Sequence, residues 1–206
     1  MANNYFDIIL LFSVLLESGS TKLLSEVVVG DRVLSASIKG LLVFSDVIAV
    51  PHDNGNSAYA HFVELQTIRG LQIRLTNDHL IAIDSSNSCN ESSAMVPLDG
   101  RRFHLEPAAG VKVGSCVLTV DGLQQVASSN LVHGQGLQTI ITMEPFVVVN
   151  GIVASPFATN HAAAHAFYNV HRALYRCSPT LLQRPWLRRA TEVFGLILGV
   201  AFATFL

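Results

Sequence analysis

Short runs of β-branched and aliphatic residues, each closed by a turn signal, set the texture of most of the chain. Val27-Val28-Val29, Val47-Ile48-Ala49-Val50, Gln72-Ile73-Arg74-Leu75, Thr139-Ile140-Ile141-Thr142 and Phe146-Val147-Val148-Val149 alternate with Asp53-Asn54-Gly55, Asp99-Gly100, Asp121-Gly122 and Asn150-Gly151. Apolar runs of this length, bounded by Asn-Gly or Asp-Gly, predict strands and hairpins, and no helix longer than two turns fits between them. The stretch Ser85 to Ser93 is small, polar and without a period, and reads as a surface loop.

The period changes after residue 158. Thr159 and Asn160 offer an N-cap, and Ala163, Phe167, Val170 and Leu174 form a stripe at helical spacing. They predict a helix of about four turns that stops before Ser178-Pro179. Beyond it, Pro185 suits a first helical turn, Arg188 and Arg189 suit lipid headgroups, and Val193 to Leu206 is a stretch of 14 residues without a charge. That is short of the roughly 20 residues a spanning helix needs, so an interfacial or anchoring tail is expected. At the other end, Tyr5 to Leu16 is apolar apart from Asp7 and Ser13. With no Lys or Arg before it and no small-x-small site after it, the run makes a poor signal peptide and reads as a buried first strand.

Composition narrows the function classes. Half of the 206 residues are apolar and 14% are charged, which excludes a disordered chain. Thirteen basic against fifteen acidic residues give a net charge of −2, so there is no field for gripping a nucleic-acid backbone. Cys89, Cys116 and Cys177 are too few and scattered for a disulfide scaffold or a closed metal site. His161 and His165 have the four-residue spacing of paired zinc ligands, but no third ligand accompanies them, and no metal or cofactor is expected.

The β region repeats itself. Val29-Gly30-Asp31-Arg32-Val33-Leu34 recurs as Val113-Gly114-Ser115-Cys116-Val117-Leu118, and Lys39-Gly40-Leu41 is echoed by Asp121-Gly122-Leu123. Further strands follow each copy, ending in Leu71 to Ile83 and in Phe146 to Phe157. Two β subdomains related by a pseudo-twofold axis are expected.

Leu16-Glu17-Ser18-Gly19-Ser20-Thr21-Lys22, Val29-Gly30-Asp31-Arg32-Val33-Leu34-Ser35, Phe44-Ser45-Asp46-Val47-Ile48, Leu75-Thr76-Asn77-Asp78-His79-Leu80 and Val148-Val149-Asn150-Gly151-Ile152-Val153-Ala154-Ser155 follow one another in a telling order and spacing. Over roughly residues 7–175 the chain resembles the hedgehog-type Hint (hedgehog/intein) module. The resemblance implies an all-β, horseshoe-shaped, internally duplicated fold, here a Hint domain over 7–158 with a helical C-terminal extension and apolar tail over 159–206.

The resemblance also implies self-cleavage. An opening cysteine turns the preceding peptide bond into a thioester, and in hedgehog proteins a sterol hydroxyl then takes the acyl group. The pair that handles the scissile amide falls on Thr76 and His79, and the carboxylate for sterol activation falls near His52 and Asp53. The implied partners are the module's own upstream polypeptide, a sterol or other lipid, and a membrane reached through the tail. A secretory or membrane-associated location goes with them.

The nucleophile departs from the family pattern. Aligned without gaps, the opening cysteine is Asp7, Ile8 stands where an aromatic usually follows, and the family's later cysteine is Pro156. An aspartate cannot form the thioester. Only six residues precede Asp7, and two readings stay open. Either Met1 to about Leu10 replaces the true junction and whatever preceded it, or the module is degenerate, keeping the fold as a membrane-attached structural or binding domain. An unrelated β-sandwich adhesion domain fits the composition but leaves the GDRVL and TNDHL segments unexplained.

Overall fold

The computed structural model describes residues 12–51, 59–85, 89, 98, 102–135, 138–158 and 161–180. The chain divides into two compact units, Met1–His161 and Ala162–Leu206. His52, Asp53, Asp7, most of the polar loop and the apolar tail lie outside the described residues.

The first unit is all β. A short ribbon pairs β1 (Ser13–Leu15) with β2 (Thr21–Leu23). The first half of the main sheet contributes β3 (Arg32–Ala36), β4 (Leu42–Ala49), β5 (Tyr59–Thr67), β6 (Gln72–Thr76), β7 (His79–Asp84) and β8 (Phe103–Pro107). The second half contributes β9 (Cys116–Thr119), β10 (Gly122–Gln135), β11 (Ile141–Thr142), β12 (Phe146–Val149) and β13 (Ile152–Ala158). All the described pairings are antiparallel, in the order β11-β4-β3-β12-β13-β7-β9-β10-β5-β6, with β8 on β7. The two halves are not side by side. β5 leaves β4 and pairs with β10, while β11 and β12 return to pair with β4 and β3.

The internal repeat is written in matching hydrogen bonds. Each copy begins with a 3-10 turn, Leu24–Glu26 or Ala108–Gly110, followed by a buried valine, Val27 or Val111. In the first copy the Gly30 N–H donates to Val47 O and the Val47 N–H donates to Asp31 O. In the second the Gly114 N–H donates to Val126 O and the Val126 N–H donates to Ser115 O. Even the side-chain cap recurs: Asp31 Oδ2 accepts the Val28 N–H, and Ser115 Oγ accepts the Lys112 N–H. The duplication anticipated from the sequence is therefore present at the level of single bonds.

The same bonds correct one expectation. Val27-Val28-Val29 belongs to no strand, because the Val27 N–H is spent on Leu24 O and the Val28 N–H on Asp31, leaving neither for a sheet neighbour. The turn that follows needs positive φ, +98° at Gly30 and +95° at Gly114. Nothing lies within 4 Å of a Cβ built on Gly30, so Gly30→Ala meets only the backbone penalty. It is expected to lower stability by about 1–2 kcal/mol, read as a reduced urea midpoint with an unchanged m-value. An unchanged midpoint refutes the required left-handed turn.

Two apolar clusters hold the unit together. The larger gathers Val14, Val33, Val47, Leu65, Ile81 and Ile152 among others; the smaller is built on Phe103, Cys116, Leu123, Phe146 and Val153. Each fully buried aliphatic side chain contributes about 1.5–3 kcal/mol relative to exposure. Their positions explain why the sheet accepts near-continuous apolar runs such as Phe146–Val149, which is buried at every residue.

The helix α1 (His161–Cys177), which from Ala162 onward belongs to the second unit, occupies the stretch that the stripe predicts. The buried residues, however, are His171, Arg172 and Tyr175, while Val170 of the stripe is 61% exposed. No helix among the described residues is long and apolar enough to cross a membrane.

Candidate functional site

Thr76 and His79 stand at the two ends of one tight connection. Thr76 ends β6, opposite Phe62 of β5, and His79 begins β7, opposite Ala158 of β13. Between them Asn77 and Asp78 are exposed, and Asn77 O accepts the Ala109 N–H at 3.0 Å. The sequence makes this turn because a β-branched Thr closes a strand and an Asn-Asp pair can satisfy its own backbone locally.

The His79 ring is fixed by one bond. Its Nε2 lies 2.6 Å from Ser155 O, and since a carbonyl only accepts, Nε2 carries the proton and Nδ1 holds the lone pair. Burial pushes the His79 pKa below its ordinary 6.5, with the Ser155 carbonyl pulling the other way. The resting ring at neutral pH is therefore uncharged, with a basic nitrogen whose direction is set.

Ser155 is itself wholly buried and is used at both polar ends. Its carbonyl takes His79, while its Oγ accepts the Phe157 N–H at 3.0 Å and lies 2.8 Å from His161 Nδ1. The His161 ring stacks on Phe146, with centroids 5.1 Å apart and planes 13° apart. Next along β13, Pro156 O accepts the Thr139 hydroxyl at 2.9 Å. One backbone segment thus joins two imidazoles at its serine and presents proline where the family pattern has sulfur.

The N-terminal strand is held by Asn150. The Asn150 side-chain oxygen accepts the Ser13 N–H at 2.8 Å, its own N–H donates to Ser13 O, and its Nδ2 donates to Gln72 O at 3.1 Å. Asn150 has φ +47°, the left-handed conformation that an Asn-Gly hairpin requires. This residue ties β1 and β6 to the β12–β13 turn. Leu16, just past the end of β1, also bridges to Val33 of β3.

Two of the three cysteines are joined, which their spacing did not foretell. Cys89 and Cys116 form a disulfide with Cα atoms 5.4 Å apart, set in the smaller apolar cluster. Cys177 is free and exposed. Among the described residues no group of three His, Cys, Asp or Glu side chains is placed to hold a metal ion. In α1, His165 Nδ1 accepts from Arg172, and burial together with that cation keeps His165 below its ordinary pKa.

The family model for the Hint module matches residues 12–193. The chain belongs to the Hint family. This Hint domain is 32% identical over 154 residues to the hedgehog protein of Drosophila persimilis, covering 70% of this chain and 28% of that protein. It is 30% identical over 166 residues to the hedgehog protein of Drosophila melanogaster, covering 76% and 32% respectively. It is a hedgehog-type Hint domain that spans about a third of the length of the curated relatives it matches. Among solved structures, a DnaB intein from Synechocystis sp. PCC 6803 superposes with a TM-score of 0.52 at 11% identity, over 72% of this chain and 95% of that one. The MchDnaB-1 intein (N145AA) does so with a TM-score of 0.50 at 14% identity, over 73% and 98%. The inteins establish the all-β fold of the Hint domain.

Sequence reasoning missed three residues of this Hint domain. Asn150 was legible only as a turn signal, although an Asn at positive φ beside a buried strand is a ready side-chain clamp. Ser155 carried no signal for this role, because a serine that joins two rings 76 and 6 residues away has no local pattern, and His161 was read only for its spacing to His165 and not for its bond to Ser155.

Proposed function

We propose that this domain is an N–S acyl-shift scaffold of the autoprocessing type, in which Thr76 and His79 handle the scissile amide. The observation that carries the reading is the His79 tautomer: with Nε2–H committed to Ser155 O, the basic Nδ1 is left for the reacting groups. The proton path then balances. A cysteine thiol at the junction gives its proton to Nδ1, and the thiolate adds to the carbonyl carbon of the preceding peptide bond. The resulting imidazolium returns that proton to the amide nitrogen as the C–N bond breaks, leaving a thioester and a free amine. Burial keeps the resting ring neutral and so able to accept this proton, while the Ser155 carbonyl offsets part of the cost of the cation formed between the two transfers. The Thr76 hydroxyl, three residues away on the same turn, positions the amide.

The acceptor of the acyl group in this reading is the hydroxyl of a sterol or another lipid. It attacks the thioester carbonyl, expels the thiolate and forms an ester, with a base near His52 or Asp53 taking its proton. The partner is the polypeptide upstream of the junction, and the tail from about Pro185 brings the domain to a membrane. A secretory route agrees with the Cys89–Cys116 bridge, since disulfides persist in oxidising compartments.

As written, the chain does not cleave itself, because Asp7 stands at the nucleophile position and no thiol is near it in sequence. A second reading, a fold kept as a membrane-attached binding module, is favoured by the joint loss of both family sulfurs, at Asp7 and at Pro156. Fusing a folded reporter ahead of residue 7 and changing Asp7→Cys with a Hint-like junction separates the two. Reporter release by hydroxylamine or dithiothreitol is the expected result. A folded fusion that stays intact under strong thiol supports the second reading instead.

A further inference from the structure

His61 of β5 and His133 of β10 face each other directly across the antiparallel ladder, between the pairs Phe62–Val132 and Ala60–Gly134. Both side chains are exposed, their ring centroids are 4.3 Å apart, and their planes are inclined by 60°. From this geometry we infer that His61 and His133 form a bidentate site for a divalent transition-metal cation of the zinc class, with water completing the coordination.

The inclination of the rings is the decisive feature. An imidazole lone pair lies in the ring plane, so an ion bound by two rings must lie in both planes. Parallel rings, such as Phe146 and His161 at 13°, have no common in-plane point close by. Planes 60° apart meet along a line beside both rings. The spacing is also suitable. Directly opposed residues on paired strands have Cβ atoms about 4.5–5.5 Å apart. Two nitrogens at about 2.0–2.1 Å from a tetrahedral ion lie about 3.3 Å from each other, a separation compatible with opposed rings whose centroids are 4.3 Å apart. Imidazole suits zinc, copper and nickel and does not suit calcium or magnesium, whose ligands are oxygens.

The ladder supplies pre-organisation. His61 and His133 sit within a run of eight consecutive paired positions, from Ser128–Gln66 to Gln135–Tyr59, so neither strand has to be ordered by the ion. The two histidines come from opposite halves of the duplication, β5 from the first and β10 from the second. A bound cation would therefore staple one half to the other and raise the stability of the folded state by mass action.

The chain has eight histidines, so the test must resolve the individual rings. Zinc chloride is titrated into the folded protein while the imidazole Cε1–H resonances are followed by NMR. The expected result is that His61 and His133 shift together, with one common dissociation constant and one ion per chain, and that the thermal midpoint rises with zinc. His61→Gln and His133→Gln should each weaken this binding by about tenfold or more, since even outer-shell partners of a ligating histidine are worth that much. Both should abolish the zinc-dependent rise while leaving the circular-dichroism spectrum unchanged. Rings that stay put at millimolar zinc, rings that shift with separate constants, or wild-type affinity in His61→Gln would each overturn the site.

Discussion

His79→Ala, introduced into the Asp7→Cys reporter fusion, is expected to slow thiol-induced release by about 10²-fold or more, the usual contribution of a positioned acid–base group. The substitution removes both the Nδ1 that relays the proton and the Nε2–H that anchors the ring on Ser155 O. Ser155→Ala is the informative companion. It keeps the carbonyl that holds His79 and deletes only the hydroxyl shared by Phe157 and His161, so it should leave most of the release rate in place. Equal losses in the two variants would mean that the serine hydroxyl, and not the imidazole, organises the chemistry. Acid should mimic the alanine substitution. Because burial holds His79 below 6.5, the ring is neutral at pH 7 and is protonated only at lower pH, where it can no longer accept the thiol proton and release falls. The same shift acts on stability. An unfolded chain, with His79 at its ordinary 6.5, binds more protons than the folded one in the interval below that value, so this contribution is complete above about pH 6.5 and is lost as the pH drops through the folded pKa.

Loss of the Cys89–Cys116 bridge is the largest stability effect expected. The bridged cysteines are separated by 27 residues, and releasing that closure returns to the unfolded chain an entropy worth roughly 3.5 kcal/mol at 25 °C. For a chain of this size a change of that magnitude lowers the thermal midpoint by about 10 °C. Cys116 opens β9, is fully buried and packs with Phe103, Phe146 and Val153, so Cys116→Ala is the variant that spares the cluster an unpaired hydroxyl. Urea denaturation with and without dithiothreitol provides the measurement. The wild type should lose midpoint on reduction, and the Cys89→Ser/Cys116→Ala double variant should be low in both conditions. A wild-type midpoint indifferent to dithiothreitol refutes the bridge as a stabilising element.

The sequence was most legible where the determinants are local. Asp121-Gly122 and Asn150-Gly151 announce hairpins, and the spacing from Ala163 to Leu174 announces a helix, and each lies where expected. It was less legible where one residue has to meet another far along the chain. Val27-Val28-Val29 has the composition of a strand, yet its donors are claimed by Leu24 and Asp31. The helical stripe has the right period, yet His171, Arg172 and Tyr175 are what becomes buried, because period alone does not weigh a long amphipathic side chain against a small aliphatic one. At the candidate site, Thr76 and His79 are what the resemblance of Leu75 to Leu80 to the family pattern implies, and their spacing alone would not have singled them out. Ser155, Asn150 and the Cys89–Cys116 pair could not be read, since each depends on a contact made only after the strands have crossed.

The exchange of strands between the two halves has a consequence for synthesis on the ribosome. β3 and β4 find each other at once, and β5 can fold back on β6, but β5 must then wait for β10. The chain has to grow from Thr67 to Gly122 before that partner exists, a delay of several seconds at about 5–20 residues per second. During this time one edge of β5 presents unpaired backbone, and Val63 and Leu65 lack the cover they have in the finished core. β4 faces a longer wait, since β11 begins only at Ile141. The nascent domain is therefore an open-edged intermediate until its last strands emerge, and its vulnerability to chaperones, proteases and neighbouring nascent chains is concentrated in that interval rather than in the finished molecule.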